Sequence, residues 1–181
     1  MSIIPIVQLG NPILRQKASE ISRKDLFSKE TRRVIRDLKD SLDPETTAGL
    51  AAPQINQPVR IIALQLTAVL PIYQRTRNPV QVLINPRIID FSQDVIEDWE
   101  GCVSFDFLRG LVARHQSVIV EAWDKQGKEI TIEAFDLHAR LLQHEIDHLD
   151  GILYLDRMTD FKSLMSTDEF EKEYQNGASV D

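Results

Sequence analysis

An α+β fold is predicted for this chain: largely antiparallel sheets packed around a central helix, in a single domain. Three observations carry it. Runs rich in Ile, Val and Leu come first, and the longest helical pattern comes late, which is the order of segregated strands and helices rather than of alternating βαβ units. Ser117 to Trp123 and Glu129 to Ala134 flank the turn Asp124-Lys125-Gln126-Gly127 and read as an antiparallel hairpin. The late helix, from about Asp136 to Leu149, places Leu137, Leu141, His144 and His148 on one face, with Leu142, Ile146 and Leu149 nearby.

The remaining elements follow in order. Asn11-Pro12-Ile13 opens an extended N-terminal arm. A helix is expected from about Ser28 to Leu42: Ser28 caps it, Val34, Ile35, Leu38 and Leu42 form its apolar face, and Asp43-Pro44 ends it. Val59 to Leu66 reads as a strand, and so does Val80 to Ile84, which stops at Asn85-Pro86. Thr67 to Pro79 between them is a polar loop carrying Arg75 and Arg77. Asp150-Gly151 closes the late helix. Residues 1–160 are read as the main domain. Residues 161–181 form an acidic tail with a short helix around Thr167 to Tyr174 and then a frayed end; six acidic and two basic residues from Asp160 onward make it a solvated face.

The bulk numbers agree. The chain has 181 residues, 43% hydrophobic and 27% charged, which suits one globular domain with a core. A net charge of −7 disfavours binding to phosphate backbones, so no specific nucleic acid is expected. No apolar run approaches the roughly 20 residues of a membrane helix, and the N-terminal residues lack the pattern of a secretory or organellar leader. A cytoplasmic location is expected. The single cysteine, Cys102, excludes an intrachain disulfide.

Chemistry concentrates in Gln143-His144-Glu145-Ile146-Asp147-His148. Two histidines four apart share a helical face and can grip one metal ion, and the glutamate between them can handle the proton of an activated water. The histidines continue an apolar stripe, so they point inward, where buried imidazoles need partners. This HExxH pattern names a reaction class, hydrolysis by metal-activated water. A third ligand is required. The extension HExxHxxGxxH fails because Tyr154 stands where its third histidine would be. A glutamate roughly 20 residues downstream would be supplied by Glu169 or Glu171. The other candidate is upstream, in Glu100-Gly101-Cys102-Val103-Ser104, where Gly101 lets the backbone come close to an ion or substrate and Cys102 offers a thiolate.

At these residues the chain resembles the peptide deformylases. The resemblance rests on three segments in order: Gly49-Leu50-Ala51-Ala52-Pro53-Gln54, Glu100 to Ser104, and Gln143 to Leu149. It spans about residues 5 to 160. Phe105 to Gly110 and the His-Leu-Asp-Gly after the helix are closer to the subtype that includes organellar deformylases. The resemblance implies that Cys102, His144 and His148 hold a divalent metal, ferrous iron in the usual case, with zinc, nickel or cobalt as replacements. Glu145 would be the general base and then the acid. Gln54 and the backbone N–H of Val103 would hold the developing oxyanion. Gly49, Gly101 and Arg109 would align the substrate, and Leu137 and Leu141 would wall a methionine pocket. The implied substrates are N-formylmethionyl peptides and nascent chains, with a transient contact to the ribosome. Two positions depart from the family pattern: Thr47 stands where a second glycine is usual, and Val103 replaces a leucine. Asp147 is expected to pair with Arg114 as a structural contact, and Gln143 to support the site.

Overall fold

The structure is a computed structural model, and it describes residues 4–43, 47–65 and 80–175. The expected loop from Thr67 to Pro79 and the frayed end after Gln175 lie outside these residues. Helix α1 spans Lys29–Ser41. The Ser28 hydroxyl accepts from the Thr31 N–H, which satisfies one of the donors that a helix start leaves unpaired. Strands β1 (Gly49–Ala51), β2 (Ile61–Gln65), β3 (Val80–Phe91), β6 (Ser117–Trp123) and β7 (Glu129–Phe135) form one antiparallel sheet in the order β1-β2-β3-β6-β7. Strands β4 (Val95–Glu100), β5 (Leu108–His115) and β8 (Met165–Ser166) form a second, also antiparallel. Helix α2 is Asp136–Leu149, followed by the single turns α3 (Tyr154–Arg157) and α4 (Thr167–Phe170).

Strand β2 explains why its sequence is apolar without alternation. Ile62 and Leu64 face Leu142, Ile146 and Leu149 of α2. Ile61 and Ala63 face Val34, Leu38 and Leu42 on the α1 side. All five residues of the strand are buried, since the sheet is covered on both faces here. Burying a leucine such as Leu142, which has no exposed surface, stabilises the fold by about 1.5–3 kcal/mol.

Helix α2 lies between the two sheets. Apolar side chains hold it to the first sheet, and polar ones hold it to the second. Gln143 donates to His115 O (2.8 Å) and accepts from His115 N (3.1 Å). Arg140 donates to Val112 O (2.9 Å) and Ile96 O (2.6 Å). Gly151 ends the helix at φ +74, and a Cβ there would lie 2.7 Å from the Arg15 backbone.

Four expectations need correction. The N-terminal arm is not wholly extended, because Pro12–Arg15 forms a 3-10 turn capped by Asn11. Strand β3 does not stop at Asn85-Pro86. Register shifts between Ile84 and Arg87 mark a bulge, where proline needs no ladder donor. Asn85 takes φ 52 there, and its amide brackets the Ile21 backbone with two bonds of 2.8 Å. The third correction concerns Leu137, which is 48% exposed and lies beside Arg140 and Gln116, in a different pocket from His144 and Glu145. Spacing gave it the azimuth of the histidines, but the first turn of α2 has not yet entered the core. Lastly, the tail is not a solvated face throughout. Strand β8 joins β5, and Phe170 and Tyr174 pack on Trp99 at 5.1 and 5.2 Å between ring centres.

Candidate metal centre and active site

Three elements converge on one spot. Helix α2 presents His144 and His148 one turn apart, and the segment after β4 brings Cys102 opposite them. One ligand atom from each of these three residues lies within 4.8 Å of the others. Cys102 Sγ is 3.3 Å from His148 Nε2. His144 Nδ1 is bonded to Glu100 Oε2 at 2.8 Å, which leaves Nε2 of that ring as the ligand atom. Burial pushes His148 well below the usual histidine range, so its ring stays neutral and keeps a lone pair for a ligand. A soft thiolate with two imidazoles is a donor set for ferrous iron, zinc, nickel or cobalt, and the residues fit one such ion. The downstream candidates lie outside this cluster: Glu169 is exposed and pairs with Lys172 at 2.6 Å, and Glu171 is exposed as well.

Glu145 sits beside this cluster and is buried. Burial pushes its carboxyl up to about 7, and Oε2 has no partner among the described residues. Its seat depends on Gly49 at the start of β1, where a Cβ would come 2.5 Å from Glu145 Oε1. Gln54 follows β1 on the short 3-10 turn Ala52–Ile55. Its Oε1 accepts from Ala51 N at 2.8 Å, so the amide nitrogen turns to the site. There it donates to Cys102 Sγ (3.4 Å) and Ser104 Oγ (3.2 Å).

These residues line a cavity of about 520 Å³, within the size range of small-molecule pockets. Gly49, Gln54, Gly101, Cys102, Val103, Arg109, Leu141, His144 and Glu145 all line it; His148 stands behind them, bonded to Cys102. Arg109 donates to Asp106 O (3.0 Å) and Leu108 O (2.8 Å) while its guanidinium covers Gly101, where any side chain would collide with it. Thr47 lines the cavity as well and is buried.

The supporting network was only partly legible in the sequence. Glu100 accepts from Arg114 (2.9 and 3.0 Å), Arg140 (2.8 Å) and His144. Burial pushes its carboxyl up, but the hydrogen bonds from His144 and Arg114 outweigh that and hold it well below the usual carboxylate range. Arg114 then reaches Asp147 Oδ2 at 2.5 Å, the expected pair, and Arg157 adds a second partner for Asp147 at 2.7 Å. Glu100 was visible in its motif without a role; a carboxylate needed to orient a ligating histidine was the available signal. Asp106 and Thr167 also line the cavity and carry no local signal at all.

The fold and the site together define a metal-dependent hydrolase built on an HExxH helix. Comparison with known proteins makes this specific. The family model for polypeptide deformylase matches residues 3–163. A peptide deformylase of Thermomicrobium roseum is 40% identical over 181 residues, covering 99% of each chain. Peptide deformylase 2 of a Nostoc species is 35% identical over 173 residues, 94% of each. Among solved structures, the Met-Ala-Ser-bound class I type b peptide deformylase of Acinetobacter baumannii superposes with a TM-score of 0.77 at 29% identity, over 87% of this chain and 99% of that one. The chain belongs to the polypeptide deformylase family, enzymes that remove the N-formyl group from newly synthesised polypeptides.

Proposed function

We propose that Cys102, His144 and His148 hold the divalent ion, ferrous iron in the native protein, and that Glu145, Gln54 and Val103 carry out the chemistry on N-formylmethionyl peptides. The observation that carries this reading is the convergence of one thiol and two imidazoles beside a buried carboxylate with an unpartnered oxygen. When bound, the ion supplies Lewis-acid activation of water.

The chain's own groups do the rest. Glu145 takes a proton from the attacking water as the C–O bond forms at the formyl carbon. It then delivers that proton to the leaving amine as the C–N bond breaks, releasing formate. A carboxyl raised to about 7 is suited to both directions of transfer near neutral pH. The Gln54 amide and the Val103 backbone N–H donate to the carbonyl oxygen as it gains charge, each contributing on the order of 3 kcal/mol. Gly49 begins β1, an edge strand among the described residues, and that edge can pair with an extended peptide. Arg109 and Gly101 close the opposite side, and Leu141 is a wall for the methionine side chain.

The Met-Ala-Ser bound by the Acinetobacter baumannii enzyme supports a peptide with methionine first. No helix among the described residues is long and apolar enough to cross a membrane. Work on nascent chains fits a cytoplasmic enzyme meeting the ribosome transiently. Residues 1–160 would be the catalytic unit.

The test is formate release from a short formyl-Met peptide by protein purified without oxygen and with its metal content measured. Release is expected, and Glu145→Gln should lower kcat by about 10²–10⁴-fold at unchanged metal content. No release from fully metallated, folded protein would refute the reading.

A further inference from the structure

The last described stretch of chain is fastened to the rim of the cavity. In the pairing of β8 with β5, Leu108 stands opposite Ser166 and Arg109 opposite Met165. Thr167 then closes on the turn before β5. Its N–H donates to Phe107 O at 3.0 Å, and its hydroxyl donates to Asp106 O, 61 residues away in sequence, at 2.5 Å. Next, Phe170 rests on Trp99 of β4. Thr167 itself lines the cavity together with Asp106 and Arg109.

Depth separates these residues from the reacting groups. Gln54, Cys102 and Glu145 are buried, whereas Asp106 is exposed and Arg109 and Thr167 are half-buried. An extended peptide with its formyl end at the buried floor has its second and third residues at this rim, and about 520 Å³ gives room for more than the formyl group.

We propose that Met165–Phe170 is the outer wall of the peptide cavity, and that Thr167 is a specificity-determining residue for the substrate positions after formylmethionine. This rests on the deformylase reading of the cavity. Two effects combine. The Thr167 side chain presents a surface to the peptide. Its bonds to the carbonyls of Asp106 and Phe107 also fix the turn from which Arg109 enters β5. Losing the wall costs contacts made by a long substrate and not by a short one.

The experiment compares formyl-Met amide with formyl-Met-Ala-Ser on the metallated enzyme, for Thr167→Val and Phe170→Ala. Melting curves verify folding. The ratio of kcat/KM for the tripeptide to that for the amide should fall by about fivefold, through KM, as the wall loses contact with the longer substrate. Calorimetric affinity for the product Met-Ala-Ser should fall in parallel. A ratio and an affinity within about twofold of wild type in both folded variants would overturn the proposal. Affinity is read without turnover, so the two readings fail separately. Wild-type protein that releases no formate sinks the deformylase reading, while the affinities of the variants still decide whether the wall exists.

Discussion

Helix α2 has two polar faces, and they are finished differently. On one, Asp147 is bonded to Arg114 and Arg157, and Gln143 and Arg140 grip backbone of the second sheet. On the other, Glu145 Oε2 and His148 Nδ1 are buried with no partner among the described residues. Burying a polar atom without a partner costs about 1–3 kcal/mol, so a fold tolerates it only where something else repays it. The satisfied face fixes the helix between the sheets, and on the other face the unpartnered Glu145 oxygen lines the cavity, where water and substrate can reach it.

Substitutions on the two faces should separate stability from activity. The largest effect is expected for Cys102→Ala: metal affinity weakened by about 100-fold or more, since even outer-shell losses cost 10–100-fold, with activity lost alongside. Metal analysis after dialysis checks it, and full retention of metal would show that the thiolate is not a ligand. Asp147→Ala should do the opposite. Removing one partner from a buried ion network destabilises by about 3–5 kcal/mol, read by denaturant unfolding, while turnover per folded, metallated molecule stays within about twofold. A collapse of turnover at normal stability would move Asp147 to the reactive face.

Gly49→Ala sharpens the comparison from across the cavity. The new methyl displaces the Glu145 carboxylate, and a misplacement near 1 Å should lower kcat by about 10–100-fold with little change in melting temperature. The smallest effect is expected for Thr47→Gly. Thr47 is buried and lines the cavity, so trimming its side chain should widen the pocket and raise kcat/KM for formyl-Met peptides by about threefold. No change would remove Thr47 from substrate recognition.

Legibility followed locality. Helix α1 and its Ser28 cap could be read because capping and apolar spacing are short-range signals. The limits of α2, Asp136 and Leu149, could be read from apolar spacing and from Gly151, although its N-cap, Phe135, makes no side-chain capping bond. The hairpin of β6 and β7 was announced by its turn. Strand β3 was cut short because Asn85-Pro86 is a stop signal in isolation, and only pairing with β2 and β6 allows a bulge there. Strand β4 gave no clear pattern because it is largely exposed, and β5 was missed because its alternating buried positions include Gly110 and Arg114, which are not apolar. Leu137 showed that periodicity reports direction around a helix and not depth along it.

By itself the sequence determined the α+β class, the helix that carries His144, Glu145 and His148, and the donor chemistry available to a metal. Those depend on residue types a few positions apart, where backbone geometry alone sets the spacing. Tertiary structure brought Cys102, and not the downstream glutamates, beside His144 and His148, made Glu100 the partner of His144, and folded Thr167 onto the cavity. Each of these joins residues 40 or more positions apart. Contacts of that range form only when sheets and helices pack, and no local pattern of side chains encodes which distant residue will arrive.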